Sequence, residues 1–120
     1  DAFAQFRREQ ARALIVQVSP LLIEHRLTIV EMAARERLPA MYEARNFVDD
    51  GGLVSCGPDL RDAYRRAAAF VDRIFRGARP GDLPVEQPDR LALFINLKTA
   101  KSLGLTIPPS LLSRTDEVIQ

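Results

Sequence analysis

Apolar positions along this chain change period several times, and each change marks an element. Phe3, Phe6 and Ala13 lie near one helical face while Arg7, Arg8 and Arg12 lie elsewhere, which predicts a helix over 2–12 with Asp1 as its N-cap. The run Leu14-Ile15-Val16-Gln17-Val18 is short, apolar and β-branched, the signature of a strand covered on both faces in a parallel sheet. Ser19 and Pro20 then supply an N-cap and a favoured first helical residue. Helical spacing of Leu22, Ile29, Val30, Ala33 and Ala34 predicts a helix running to about Arg37, and Pro39 to Tyr42 reads as the next strand. Residues 14–42 thus form a β-loop-α-β unit whose two strands are expected to be parallel.

The second half repeats these signals. Asn46 to Asp50 predicts one helical turn ended by Gly51-Gly52, and Leu53 to Cys56 a short strand closed by Gly57-Pro58. Asp59 caps the clearest helix in the chain, in which Leu60, Tyr64, Ala67, Ala68, Val71, Ile74 and Phe75 form one apolar stripe, with Gly77 as the stop. Prolines and glycine at Pro80, Gly81, Pro84 and Pro88 make 78–88 an extended linker. Leu91 to Ile95 is a second wholly apolar strand, expected like 14–18 to be central. Asn96 caps a helix over 97–103 stopped by Gly104, and 110–119 predicts a last helix.

Composition narrows the function. A chain of 120 residues with 47% hydrophobic and 28% charged residues has the make-up of one soluble domain, α/β or α. Its net charge of +1 supplies no field to gather nucleic acid or anionic lipid. One cysteine and one histidine form neither an internal disulfide nor a good metal set, so no cofactor or metal is expected. His25 is the one base available to the serines, and it sits mid-helix between Glu24 and Arg26, so no catalytic residue and no enzyme activity is expected. Arginines gather at Arg61, Arg65, Arg66, Arg73, Arg76 and Arg79 without interleaved stacking rings, which reads as a solvated helix face. No basic-then-apolar leader opens the chain, so compartment is not read from targeting signals.

The candidate site follows from topology. Ligands of open parallel sheets bind beyond the carboxyl ends of the strands. Those ends are Val18-Ser19, Met41-Tyr42 and Ser55-Cys56-Gly57, which suits a small ligand with a carboxylate and an apolar or aromatic part.

Several stretches carry a resemblance. They are Glu31-Met32-Ala33-Ala34 to Leu38-Pro39-Ala40, Phe47-Val48 to Gly51-Gly52-Leu53, Ser55-Cys56-Gly57-Pro58, Leu83-Pro84-Val85-Glu86-Gln87-Pro88, Phe94 to Lys101, and Leu103 to Pro108. On these the chain resembles the C-terminal part of periplasmic substrate-binding proteins of ABC transporters, the tryptophan/tyrosine-binding branch. The resemblance implies an α/β, Rossmann-like parallel-sheet lobe of a type I periplasmic binding protein, an incomplete piece of a two-lobe molecule. It places 1–48 and 83–120 in the second lobe and sends 49–82, including the strand at 53–56, across to the first.

It implies a substrate-binding component that captures an amino acid or related solute in an interlobe cleft. The partners it implies are a membrane permease and ATPase, and the location is the periplasm or a lipid anchor facing it. The family's cleft positions map onto Ser19, Tyr42, Ser55, Cys56 and Gly57. Relatives commonly carry Tyr where this chain has Cys56, so that aromatic wall is not supplied here. The alternative is a stand-alone α/β interaction or signalling domain without catalysis. In isolation the chain is expected to self-associate through the apolar stripe of 60–75.

Overall fold

The computed structural model describes residues 2–86 and 90–120. The expected cap at Asp1 and the linker residues 87–88 lie outside them. In chain order the elements are α1 (Ala2–Arg8), β1 (Leu14–Val16), α2 (Pro20–Glu24), α3 (Arg26–Arg35), β2 (Ala40–Tyr42), α4 (Arg45–Asp49), β3 (Val54–Pro58), α5 (Leu60–Phe75), a 3₁₀ turn (Pro80–Asp82), β4 (Leu91–Asn96), α6 (Leu97–Ser102), α7 (Pro109–Leu112) and β5 (Glu117–Ile119). The chain divides into two compact units, 1–57 with 92–120, and 58–91.

In the larger unit the five strands follow chain order, β1-β2-β3-β4-β5. β1 runs parallel to β2, β2 to β3, and β4 to β5, with Val16 opposite Tyr42 and Tyr42 opposite Ser55. Leu53 O accepts the Asn96 N–H at 2.9 Å where β3 meets β4. The strand at 53–56 therefore belongs to the same sheet as its neighbours and does not cross to another lobe, correcting the expectation. An apolar strand of four residues reads alike in any sheet; which sheet it joins is decided by pairing.

Phe3, Val30, Ala33, Ala40, Tyr42 and Phe47 form the core on one face of β1 and β2. Tyr42 and Phe47 stack with centroids 4.7 Å apart and planes 13° apart, and Phe3 meets Phe6 edge-on. The Gly51 φ of +102° makes the turn out of α4, and Thr99 Oγ1 donates to Gly51 O at 2.8 Å, tying that turn to α6. Arg26 pairs with Asp50 at 2.6 Å and holds α3 to the end of α4.

The opposite face explains a second correction. β1 was expected to be central and covered on both sides, but it lies at the edge of the sheet order with Ile15 78% exposed. β4 is interior in that order and buries Ile95, while Leu91 is exposed. Right-handed crossovers between strands in sequential order lay their helices on one face, so an apolar residue on the other face gains no cover from them. Period-2 exposure (Leu14 and Val16 half-buried, Ile15 exposed) is the result.

Three helix boundaries also move. The helix expected over 2–12 ends at Arg8, with Gln10 at φ +53°. That expected from Pro20 to about Arg37 starts at Pro20 but breaks at His25, which ends α2 and starts α3, and it stops at Arg35. The last helix stops at Leu112, and 117–119 is a strand. Asp116 exchanges two hydrogen bonds with Leu93, its carboxylate accepting the Leu93 N–H and its own N–H donating to Leu93 O. Those bonds to β4 outweigh the local helical pattern. By contrast α5 spans 60–75 as expected, capped by Asp59, whose carboxylate accepts the Arg61 N–H at 2.9 Å. Its stripe is open: Leu60, Tyr64, Val71, Ile74 and Phe75 are all exposed, Phe75 at 86%.

Candidate functional site

Parallel pairing brings the carboxyl ends of β1, β2 and β3 to one edge of the sheet. Beyond β1, Ser19 caps α2, its Oγ accepting the Leu22 N–H at 3.2 Å. Accepting that bond does not use the hydroxyl's own proton. Beyond β2, Glu43 donates its N–H to Val16 O at 3.1 Å and accepts the Val18 N–H on Oε2 at 2.9 Å. Beyond the middle of β3, Gly57 presses against Glu43: a Cβ on Gly57 would lie 2.0 Å from the Glu43 carbonyl oxygen. Only glycine fits there without moving backbone. Ser19, Glu43 and Gly57 are thus gathered at one edge, with Glu43 as the link.

The other expected positions are placed differently. Tyr42 is 1% exposed, its ring stacked on Phe47 inside the core. Burial pushes its phenol from 10.0 up to about 12. Ser55, opposite Tyr42, is equally buried, and among the described residues its Oγ has no hydrogen-bond partner. Cys56 is half-buried and, by strand alternation, points to the face opposite Ser55. The five positions therefore do not share one surface. Sequence reading also missed Glu43, although the strand-end rule that selected Tyr42 reaches the residue that follows it.

Arg45 lies two residues beyond Glu43 but is not a free cation. Its guanidinium grips Glu117 bidentately at 2.7 and 2.9 Å, contacts Asp49 at 3.2 Å, and covers the Phe94 ring at 4.7 Å. The hydrogen bond to Glu117 raises its already high pKa. Among the described residues no group of three His, Cys, Asp or Glu side chains is placed to hold a metal ion. No helix among them is long and apolar enough to cross a membrane. The edge offers hydrogen-bond donors, one carboxylate and a side-chain-free strand end, the equipment of binding.

Residues 3–119 match the family described as ABC transporter substrate binding protein. The chain belongs to this family. A tyrosine-binding protein of Clostridioides difficile is 25% identical over 92 residues, 77% of this chain and 27% of that protein. Two solved structures superpose closely. One is a conserved domain protein from Vibrio cholerae, at TM-score 0.86 and 25% identity, covering 98% of this chain and 39% of the other. The second is an ABC domain in complex with L-Trp from Streptococcus pneumonia, at TM-score 0.85 and 28% identity, covering 94% and 38%. The chain thus spans well under half the length of these relatives.

Proposed function

We propose that this chain is a solute-recognising part of the substrate-binding component of an ABC transporter, which takes up an amino acid or related small organic solute at the carboxyl edge of its sheet. The observation that carries the reading is the likeness to the L-Trp complex over nearly the whole chain. The edge built from Ser19, Glu43 and Gly57 is where the solute binds. Cys56 contributes from the half-buried end of the same strand, and Tyr42 and Ser55 support the site from beneath. The protein delivers its solute to a membrane permease and ATPase from the periplasm or from a lipid anchor facing it. Of the segment 49–82 expected to cross to the first lobe, the part beyond β3 reaches toward that lobe in the whole protein, and the open stripe of α5 packs there. In the isolated chain that stripe drives self-association.

The test is thermal unfolding and calorimetry of the full-length protein against a panel of amino acids, L-Trp and L-Tyr first. A bound solute at 100 times its Kd stabilises the folded state by about 2.7 kcal/mol. Stabilisation by one or a few amino acids is expected. Stabilisation by none of them, or chemical turnover of any, overturns the reading.

A further inference from the structure

Resting on the solute-binding reading, we infer that Glu43 is the specificity residue of the site and recognises a protonated amino group on the solute. Its place is fixed from two sides. Main chain and carboxylate both bind the end of β1, through Val16 O and the Val18 N–H. On the other side Gly57 carries no side chain where a Cβ would sit 3.1 Å from Glu43 Cγ. The carboxylate is therefore oriented by its neighbours rather than swinging in solvent, and it stands at the edge where a parallel sheet binds ligands.

Its charge is also available. Among the described residues the carboxylates of Glu36, Asp49, Asp50, Asp62, Asp72 and Glu117 sit in ion pairs, and Glu43 sits in none. Arg45, the nearest arginine in sequence, is taken by Glu117 and Asp49. One backbone N–H occupies Oε2, which leaves Oε1 with both lone pairs for an incoming donor. An ammonium group is the donor that meets both the hydrogen-bonding need and the charge. The solutes selected are then amines, amino acids among them, and their deaminated counterparts are rejected because they leave the carboxylate without a cation.

Glu43→Gln separates this role from a structural one. Glutamine keeps a carbonyl oxygen to accept the Val18 N–H but removes the charge. Calorimetry on the full-length protein uses L-Trp and L-Tyr, the rest of the amino-acid panel, and the deaminated partners indole-3-propionate and 3-(4-hydroxyphenyl)propionate. The wild type is expected to prefer the amine at least about tenfold, and Glu43→Gln to lose about tenfold to a hundredfold for the amine. Affinity of the variant for the deaminated compound is expected to hold or rise. Glu43→Asp keeps the charge and is expected to retain the preference for the amine. Equal weakening of both ligand types in Glu43→Gln, or an unchanged preference, overturns the assignment. A wild-type protein that binds no amino acid overturns the solute class itself, and the role of Glu43 falls with it.

Discussion

Phe47 is the residue on which the site's foundation rests most directly. It is fully buried, stacks on Tyr42, and packs in the cluster with Phe3, Val30, Ala33 and Ala40. Its carbonyl also accepts the Gly52 N–H at 2.7 Å, closing the turn that leads into β3. Phe47→Ala removes the ring and leaves a cavity beneath β2, at a cost of about 3–5 kcal/mol. Phe47→Leu keeps most of the volume but loses the stacked pair, which is worth about 0.5–1.5 kcal/mol beyond burial. Natural domains hold about 5–15 kcal/mol in all, so the alanine variant gives up about a fifth of that or more. A chain of two compact units need not unfold in one step. Native-state hydrogen exchange is therefore the better assay, because it reads local opening. Amides of β2, α4 and Gly52 in Phe47→Ala are expected to lose protection by more than a hundredfold, and those in Phe47→Leu by about tenfold. Loss of less than fivefold in Phe47→Ala would refute the reasoning, since a ring closed in a packed core cannot be deleted so cheaply.

Three further outcomes follow from the same geometry. The Tyr42 phenol, raised to about 12 in the folded state and about 10 when unfolded, makes the unfolded chain lose its proton first. Stability is then full below pH 10 and falls between about 10 and 12, by up to about 2.7 kcal/mol; alkaline unfolding checks this, with Tyr42→Phe lacking that contribution. Gly57→Ala drives a methyl into the Glu43 carbonyl and is expected to cost about 1–3 kcal/mol by urea unfolding, with a neutral result showing that β2 and β3 are not so closely apposed. Ser55→Ala removes a buried hydroxyl that has no partner among the described residues, so stability is expected to hold or to rise by about 1 kcal/mol, and a loss above that amount would reveal a partner for Ser55.

Local signals alone determined much of this protein. The cap at Asp59 and the apolar stripe set α5, because a helix with one apolar face and a capping side chain needs no distant partner to be recognised. Ser19-Pro20 and Asn96 marked helix starts in the same way. The strand runs at 14–18, 53–56 and 91–95 were legible as strands, and the parallel direction of β1 and β2 followed from the helix between them. What local pattern cannot carry is partnership between distant segments. Whether β1 lies at the centre or the edge, and whether β3 joins this sheet, depends on which strands pair. Residues 117–119 became a strand because Asp116 bonds to Leu93, more than twenty positions away, against a helical pattern of its own. The site divides on the same line. Strand ends were foreseeable from sequence, but alternation and register turned Tyr42 and Ser55 inward and left Glu43 between the ends of β1 and β3. Sequence names the residues at a strand's end, while packing decides which of them faces water, because a shift of one position reverses the direction in which a side chain points.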